Sequence, residues 1–400
     1  MARNLEDDLN EKIDRAILEE AQKPRRERMS NVALGRMFDV HETTIRRHKQ
    51  ALQKALRLPV EQDRDEFFDI PVNAITQRRR TIRLEDGSYE RVTYNPAVAV
   101  AEDVREASYE ELEKVFDRAV LSVAPKVEED RPKTLVVCLS DFQAGKTDER
   151  GGTQETVNRV MTTLKRMTES IQTDGGYEEI IVADVGDVCE GFWNVTSQQQ
   201  TNDLSLTDQI RVAQRLMAEA VVMMAPLCTR MTYVSIPSNH CAVRTGKGND
   251  NRANSPDDDF GLLIADTIQA IMSGREPFSH VNFAKPQKWE EAVTVETADG
   301  TAVGFTHGHL AGSQAKIPSW FRDLAFGHRS GLHEASILVH GHFHNFGVSL
   351  VGDNKFIIGC PTADNGSSWF TNRTGDATDP ALLTFEVQDK KAKRWELWYE

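Results

Sequence analysis

The chain has 400 residues, a net charge of −14, 39% hydrophobic and 28% charged residues, which suits a globular protein of more than one domain and excludes a low-complexity or collagen-like polymer. No stretch approaches the roughly 18–20 uninterrupted apolar residues of a membrane span, and the charged opening Met1-Ala2-Arg3-Asn4-Leu5-Glu6-Asp7-Asp8 does not read as a signal peptide. Five widely spaced cysteines with no C-x-x-C pair speak against a disulfide framework and a thiolate zinc site, so a cytoplasmic protein without a membrane partner is expected.

Leu9, Ile13, Ala16 and Ile17 recur at helical spacing and Pro24 stops the run, predicting a first helix. Between Lys23 and Arg57, ten basic residues stand against three acidic ones. That window carries +7 and leaves −21 for the rest of the chain, an asymmetry that points to two parts with different partners. Inside it, a short helix with Leu34, Gly35 and Phe38, a tight turn at Asp39-Val40 and a second helix with Ile45 and Leu52 have a helix-turn-helix layout. The sequence resembles the helix-turn-helix family at Gly35, Val40, Thr44 and Ile45. It departs at Asp39, where glycine is usual, although aspartate tolerates a left-handed backbone better than most residues. The resemblance implies an all-α DNA-binding domain over residues 1–58, with Thr43, Thr44, Arg46, Arg47 and Lys49 meeting phosphates and base edges. A three-helix packing or dimerisation module with a solvated basic face fits the same pattern, and a homodimer is left open. Residues 59–131, with Pro59, Pro71, Pro96 and the Arg78-Arg79-Arg80 run, read as an irregular connector with helix from Tyr109 to Val123.

From Thr134 the texture becomes that of a layered α/β domain over residues 132–400, with short apolar runs alternating with amphipathic stretches. Each run ends on polar ligand types. Leu135–Leu139 leads to Asp141-Phe142-Gln143, Ile180–Ala183 to Gly186-Asp187, and Tyr233–Ile236 to Ser238-Asn239-His240. Ala302–Phe305 leads to His307-Gly308-His309, and Ile337–Val339 to Gly341-His342-Phe343-His344. Ligands gather at the carboxyl ends of strands in open α/β sheets, and a set of aspartates, an asparagine and imidazoles without thiolates suits Mn²⁺, Fe²⁺, Zn²⁺ or Mg²⁺ rather than a structural zinc. Alternation in Phe346–Val351, Lys355–Ile358 and Leu382–Val387 predicts hairpins that complete a second sheet. Asp257-Asp258-Asp259 after Pro256 reads as a helix start.

In their order, these five motifs resemble the signature of the calcineurin-like metallophosphoesterase superfamily over residues 134–398. The resemblance implies a four-layer β-sandwich flanked by helices, with two divalent metal ions at the strand ends. Mn²⁺ is first choice, with Fe²⁺, Zn²⁺, Mg²⁺ or Ni²⁺ as competitors. It assigns Asp141, Gln143, Asp187 and His344 to the first metal, and Asp187, Asn239, His307 and His342 to the second. It further implies a hydroxide nucleophile activated by the two metals, and His240 as proton donor to the leaving oxygen. His309 and Arg244, with Lys247 on the same loop, are candidate substrate contacts, and Glu190 is a candidate support.

Two departures stand out. Gln143 replaces a family histidine, bringing a neutral amide oxygen in place of an imidazole. Cys241 follows His240 where an acidic residue is usual, so another group must orient that ring; Cys241 and Cys189 read as small buried hydrophobes rather than redox groups. Together the two parts suggest a phosphodiesterase acting on nucleic acid, a DNA nuclease similar to the double-strand-break-repair branch, recruited by its basic head in the manner of phage or mobile-element genome-processing proteins. The alternatives are a phosphomonoesterase or cyclic-nucleotide phosphodiesterase, and a DNA-binding regulator with an inactive phosphoesterase fold.

Overall fold

A computed structural model of the chain describes residues 2–21, 23, 29–56, 64–65, 70–71, 75–83, 89–96, 109–121, 134–193, 201–244, 255–327, 331–352, 355–368, 371–372 and 378–400. Lys247 lies outside them. The chain divides into two units, Met1–Val72 and Asn73–Glu400.

The first unit contains helices α1 (Ala2–Ala21), α2 (Asn31–Met37) and α3 (Glu42–Leu56), and a short antiparallel pair, β1 (Arg64–Asp65) with β2 (Ile70–Pro71). The helices share a small apolar centre of Ile13, Ile17, Leu34 and Ile45. Ser30 caps α2, its Oγ accepting from the Ala33 amide at 3.1 Å. The corner after α2 is tight because a Cβ on Gly35 would sit 2.7 Å from the Val40 carbonyl oxygen. Asp39 takes the left-handed conformation there, with φ 53°. Thr43, Arg46 and Arg47 are exposed on α3 and Thr44 is half-buried, while Lys49 donates to Asn31 Oδ1 at 2.6 Å.

The second unit begins with an antiparallel pair, β3 (Ile75–Arg83) and β4 (Tyr89–Pro96), then helix α4 (Tyr109–Asp117). The expected helix from Tyr109 is present, while the paired strands differ from the irregular backbone expected there. Arg78-Arg79-Arg80 lies within β3, where a run of charged residues gives no apolar alternation from which a strand could be read.

The remainder is an α/β fold with two mixed sheets. Four parallel strands, β5 (Thr134–Leu139), β6 (Tyr177–Asp184), β7 (Cys228–Ser235) and β8 (Val281–Ala284), form one sheet in the order β15-β14-β5-β6-β7-β8, in which β14 (Ala381–Gln388) is antiparallel to β5 and β15 (Lys391–Tyr399) antiparallel to β14. The other runs β12-β13-β11-β10-β9, made of β9 (Ala292–Glu296), β10 (Ala302–Thr306), β11 (Ile337–His340), β12 (Gly347–Val351) and β13 (Lys355–Gly359), with β10, β11 and β13 parallel. Inward residues of both sheets meet in one core that includes Val136, Ile181, Val234, Phe305, Val339, Ile358 and Phe385. Leu135, Val137, Ile180 and Val182 face the opposite way and pack with α5 (Thr153–Thr173), α6 (Leu206–Met224) and α7 (Phe260–Met272). α8 (Ile317–Gly327) places Ile317 and Phe321 against the outer face of the second sheet.

Asp259 caps α7 through hydrogen bonds from the Gly261 and Leu262 amides at 2.7 and 3.2 Å, as the acidic run suggested. One hairpin is placed differently from the sequence reading. β12 and β13 join the second sheet, whereas β14 pairs with β5 in the first, Leu383 opposite Cys138. β14 is buried on both faces, so its apolar pattern does not say which sheet it enters. All five cysteines are free and buried.

Candidate metal centre

The strands that carry the motifs end level with one another. Leu139 of β5 is in register with Asp184 of β6, Asp184 with Ser235 of β7, and Thr306 of β10 with His340 of β11. The loops that follow are stitched together by backbone bonds: Asp141 N–H donates to Gly186 O at 3.0 Å and Gln143 N–H to Asp187 O at 2.9 Å. Side chains continue the stitching. The Asp187 amide donates to Ser238 Oγ at 2.9 Å, the His240 amide to Asp187 Oδ1 at 2.8 Å, and the His342 amide to Asp141 Oδ2 at 3.1 Å.

This convergence is bought with backbone strain. Of the ten described non-glycine residues with positive φ, Asp141 (53°), Gln143 (45°), Asp187 (54°), His342 (71°) and His344 (55°) all lie here. Such conformations cost of order 1–3 kcal/mol each and persist where the surroundings over-determine them, as they do at functional sites.

One group gathers around Asp187. The ligand atoms of Asp187, His307 and His342 lie within 4.8 Å of one another, and Asn239 Oδ1 is 3.0 Å from His307 Nε2. His307 Nδ1 is 2.9 Å from the Val185 carbonyl, so this nitrogen carries the hydrogen. The Nε2 lone pair of the neutral ring then points at two acceptors, Asp187 Oδ2 at 2.9 Å and Asn239 Oδ1. Three converging lone pairs require a shared cation or proton between them, and two imidazoles with two oxygens are the donor set of a borderline divalent metal. The residues therefore fit the ion that the resemblance implies. Burial depresses the His307 pKa, but the Asp187 and Asp141 carboxylates push it up to about 9. His342, desolvated and facing His307, is pushed down to about 4 and keeps its lone pair. Burial works against the Asp187 carboxylate, yet the His307 and His240 rings hold it well below the usual carboxylate range.

A second group surrounds Asp141. His344 sits between two buried carboxylates, its Nε2 3.1 Å from Asp141 Oδ1 and its Nδ1 3.4 Å from Asp364 Oδ2. Burial lowers its pKa, but those charges raise it to about 10. Gln143 Oε1 accepts from Lys146 Nζ at 2.6 Å, and Lys146 is also ion-paired with Asp364. Neither Lys146 nor Asp364 stood out in the sequence. Lys146 lies three residues after Gln143, but nothing local ties it to a carboxylate 218 positions away.

His240 faces the same place. Its Nδ1 is 2.7 Å from the Glu190 carbonyl and 3.3 Å from Glu190 Oε2, while its Nε2 is 3.8 Å from Asp187 Oδ2. Burial disfavours the imidazolium, but Asp187 and Glu190 raise its pKa to about 9. Glu190 thus stands where the acidic neighbour replaced by Cys241 would be needed. His309 pairs with Glu291 at 3.2 Å, its ring 5.6 Å from His307 and 6.1 Å from His342. Arg244 donates to the Asn239 carbonyl at 3.2 Å. Cys189 and Cys241 lie together, and the hydrogen bond with Cys189, together with burial, lifts the Cys241 thiol well above its ordinary pKa. Thr43, Thr44, Arg46, Arg47 and Lys49 belong to the other unit.

No family model matches the chain, and no curated protein does. Among solved structures it is similar to Vps29 of Chaetomium thermophilum, at 11% identity and a TM-score of 0.27, over 64% of this chain and 82% of that one. It is also similar to the sulfate thiohydrolase SoxB of Thermus thermophilus, solved with glycerol, at 10% identity and a TM-score of 0.31; the match covers 68% of this chain and 57% of SoxB. No described helix is long and apolar enough to cross a membrane. The described residues form an α/β fold with two mixed sheets, and the strand ends bring Asp187, His307 and His342 together.

Proposed function

We propose that this chain is a metal-dependent phosphodiesterase acting on nucleic acid, a DNA nuclease recruited to duplex by its basic helical head. The observation that carries the reading is the meeting of buried Asp187 and His307 with half-buried His342 beside Asn239. Those residues would hold a divalent cation, for which two nitrogens and two oxygens suit Mn²⁺, Fe²⁺ or Zn²⁺; when bound, it would neutralise charge on a phosphate ester and favour hydroxide over water. The resemblance assigns a further cation to Asp141, Gln143, Asp187 and His344.

The chain's own groups complete the chemistry. Asp187 accepts the His240 amide through Oδ1, which fixes the backbone of His240 beside the site. Glu190 holds the Nδ1 hydrogen of that ring, leaving Nε2–H to protonate a leaving oxygen. His309, oriented by Glu291, and Arg244 would contact the phosphate or its flanking ester. In the head, exposed Thr43, Arg46 and Arg47 on α3, with half-buried Thr44 and Lys49, would supply the groove-facing contacts.

The test is a cleavage assay on the full chain loaded with Mn²⁺, using labelled single- and double-stranded DNA, bis(p-nitrophenyl) phosphate and p-nitrophenyl phosphate. Cleavage of DNA and of the diester, lost in Asp187→Asn and His307→Ala, is the expected result. Hydrolysis of the monoester alone would point to a phosphomonoesterase. Duplex binding without hydrolysis under any divalent metal would point to a regulator.

A further inference from the structure

We infer that Lys146, rather than a second metal ion, supplies the positive charge beside Asp141, Gln143 and His344, so that the chain holds one divalent cation, at Asp187, Asn239, His307 and His342. The inference rests on the metal-centre reading above and revises the count of ions.

Three observations carry it. The first is the position of the ammonium. The Lys146 side chain is only 12% exposed, its Nζ is 2.6 Å from Gln143 Oε1, and it is ion-paired with fully buried Asp364. The backbone of Lys146 is also tied in place: its amide donates to the Gln143 carbonyl at 2.9 Å, and Asn365 Nδ2 donates to the Lys146 carbonyl at 3.1 Å. The amide oxygen that would have to bind the first metal is therefore a hydrogen-bond length from a fixed cation. A dication on that oxygen would stand close to a like charge in a place screened from water, where repulsion is strongest.

The second is the residue change that makes this arrangement work. An imidazole in place of Gln143 would aim a ring N–H or a single lone pair, whereas an amide oxygen has two lone pairs and no hydrogen, and suits an ammonium donor. Gln143 and Lys146 are chemically matched to each other. The third is the difference between the two groups. Among the described His, Cys, Asp and Glu residues, ligand atoms converge within 4.8 Å only at Asp187, His307 and His342. At the other position His344 is divided between Asp141 and Asp364, so that two buried carboxylates are already met by Lys146 and by the His344 ring.

The experiment is a count of ions in the intact chain. Full-length protein is stripped with a chelator and equilibrated against Mn²⁺ by dialysis; bound metal is measured by mass spectrometry and its environment by electron paramagnetic resonance. One Mn²⁺ per chain with an isolated-ion spectrum is expected. The double variant Gln143→His with Lys146→Met should take up two ions and show an exchange-coupled spectrum, while Lys146→Arg, which keeps the charge, should retain one. Two coupled ions in the wild-type chain would overturn the inference, as would a single ion in a double variant whose circular dichroism is native. The wild-type count stands by itself if the double variant does not fold. Absence of any bound Mn²⁺ would instead overturn the metal-centre reading, which separates the two failures.

Discussion

Gly186 is a position at which a minimal change reaches His307 directly, and Gly186→Ala is the perturbation that probes it. Its φ of 95° is a backbone that alanine adopts at a cost of about 1–2 kcal/mol. The added Cβ would lie 2.6 Å from His307 Nδ1 and 2.7 Å from Ser238 Cβ, where ordinary contacts need roughly 3.5–4.0 Å. Ser238 cannot yield, because its Oγ accepts from Asp187 at 2.9 Å and its amide donates to Asp259 at 3.0 Å. The His307 ring must therefore move, breaking its hydrogen bond to the buried Val185 carbonyl at 2.9 Å, which adds about 1–3 kcal/mol. The total expected loss is about 2–5 kcal/mol by urea denaturation. Mn²⁺ affinity should fall on the order of 10–100-fold as a ligand is displaced. Gly274→Ala is the control, since φ there is 75° but nothing lies within 4 Å of the new atom. It should show the backbone cost alone and unchanged metal affinity. If Gly186→Ala matched Gly274→Ala in both measurements, the packing of His307 against Gly186 would be refuted.

Chelation of the Mn²⁺-loaded chain should lower its melting temperature, since an ion present at a hundredfold excess over its dissociation constant stabilises by about 2.7 kcal/mol; an unchanged transition would show that no such ion was bound. Asp184, buried beside Ser235 Oγ at 2.8 Å and the Gly186 amide at 3.0 Å, has its pKa raised by burial to about 6. A raised carboxyl pKa means that the folded state keeps a proton the unfolded state releases, so stability from this group is fully present below the ordinary carboxylate pKa and is lost as pH rises to about 6. Asp184→Asn, whose amide can keep both partners, should gain on the wild type by on the order of 2 kcal/mol across that window; parallel stability curves from pH 4 to 7 would contradict it. Duplex DNA binding should weaken steeply with salt, and Arg46→Ala with Arg47→Ala should flatten that slope by about two phosphate contacts in a fluorescence titration; an unchanged slope would remove α3 from the interface.

Much of the centre was legible in the residues because its signals are local. An apolar run broken by Gly-Asp, Asn-His or His-Gly marks a strand and its carboxyl end without reference to the rest of the chain, and the described strands end at those residues. The tight corner of the head was legible for the same reason: Gly35 and Asp39 answer a steric demand set within a few residues. β14 was less so. Its alternation predicts a strand, but its pairing with β5 depends on a core assembled from strands far away in sequence.

What the sequence by itself determined is which polar residues follow the strand ends and the elements that carry them, since helix and strand periods and turn chemistry act over neighbouring residues. Tertiary structure alone decided that Glu190 steadies His240 and that an ammonium held by Asp364 faces Gln143. Those contacts join residues up to 218 positions apart, and only the closure of two sheets on a shared core brings such side chains within reach of one another.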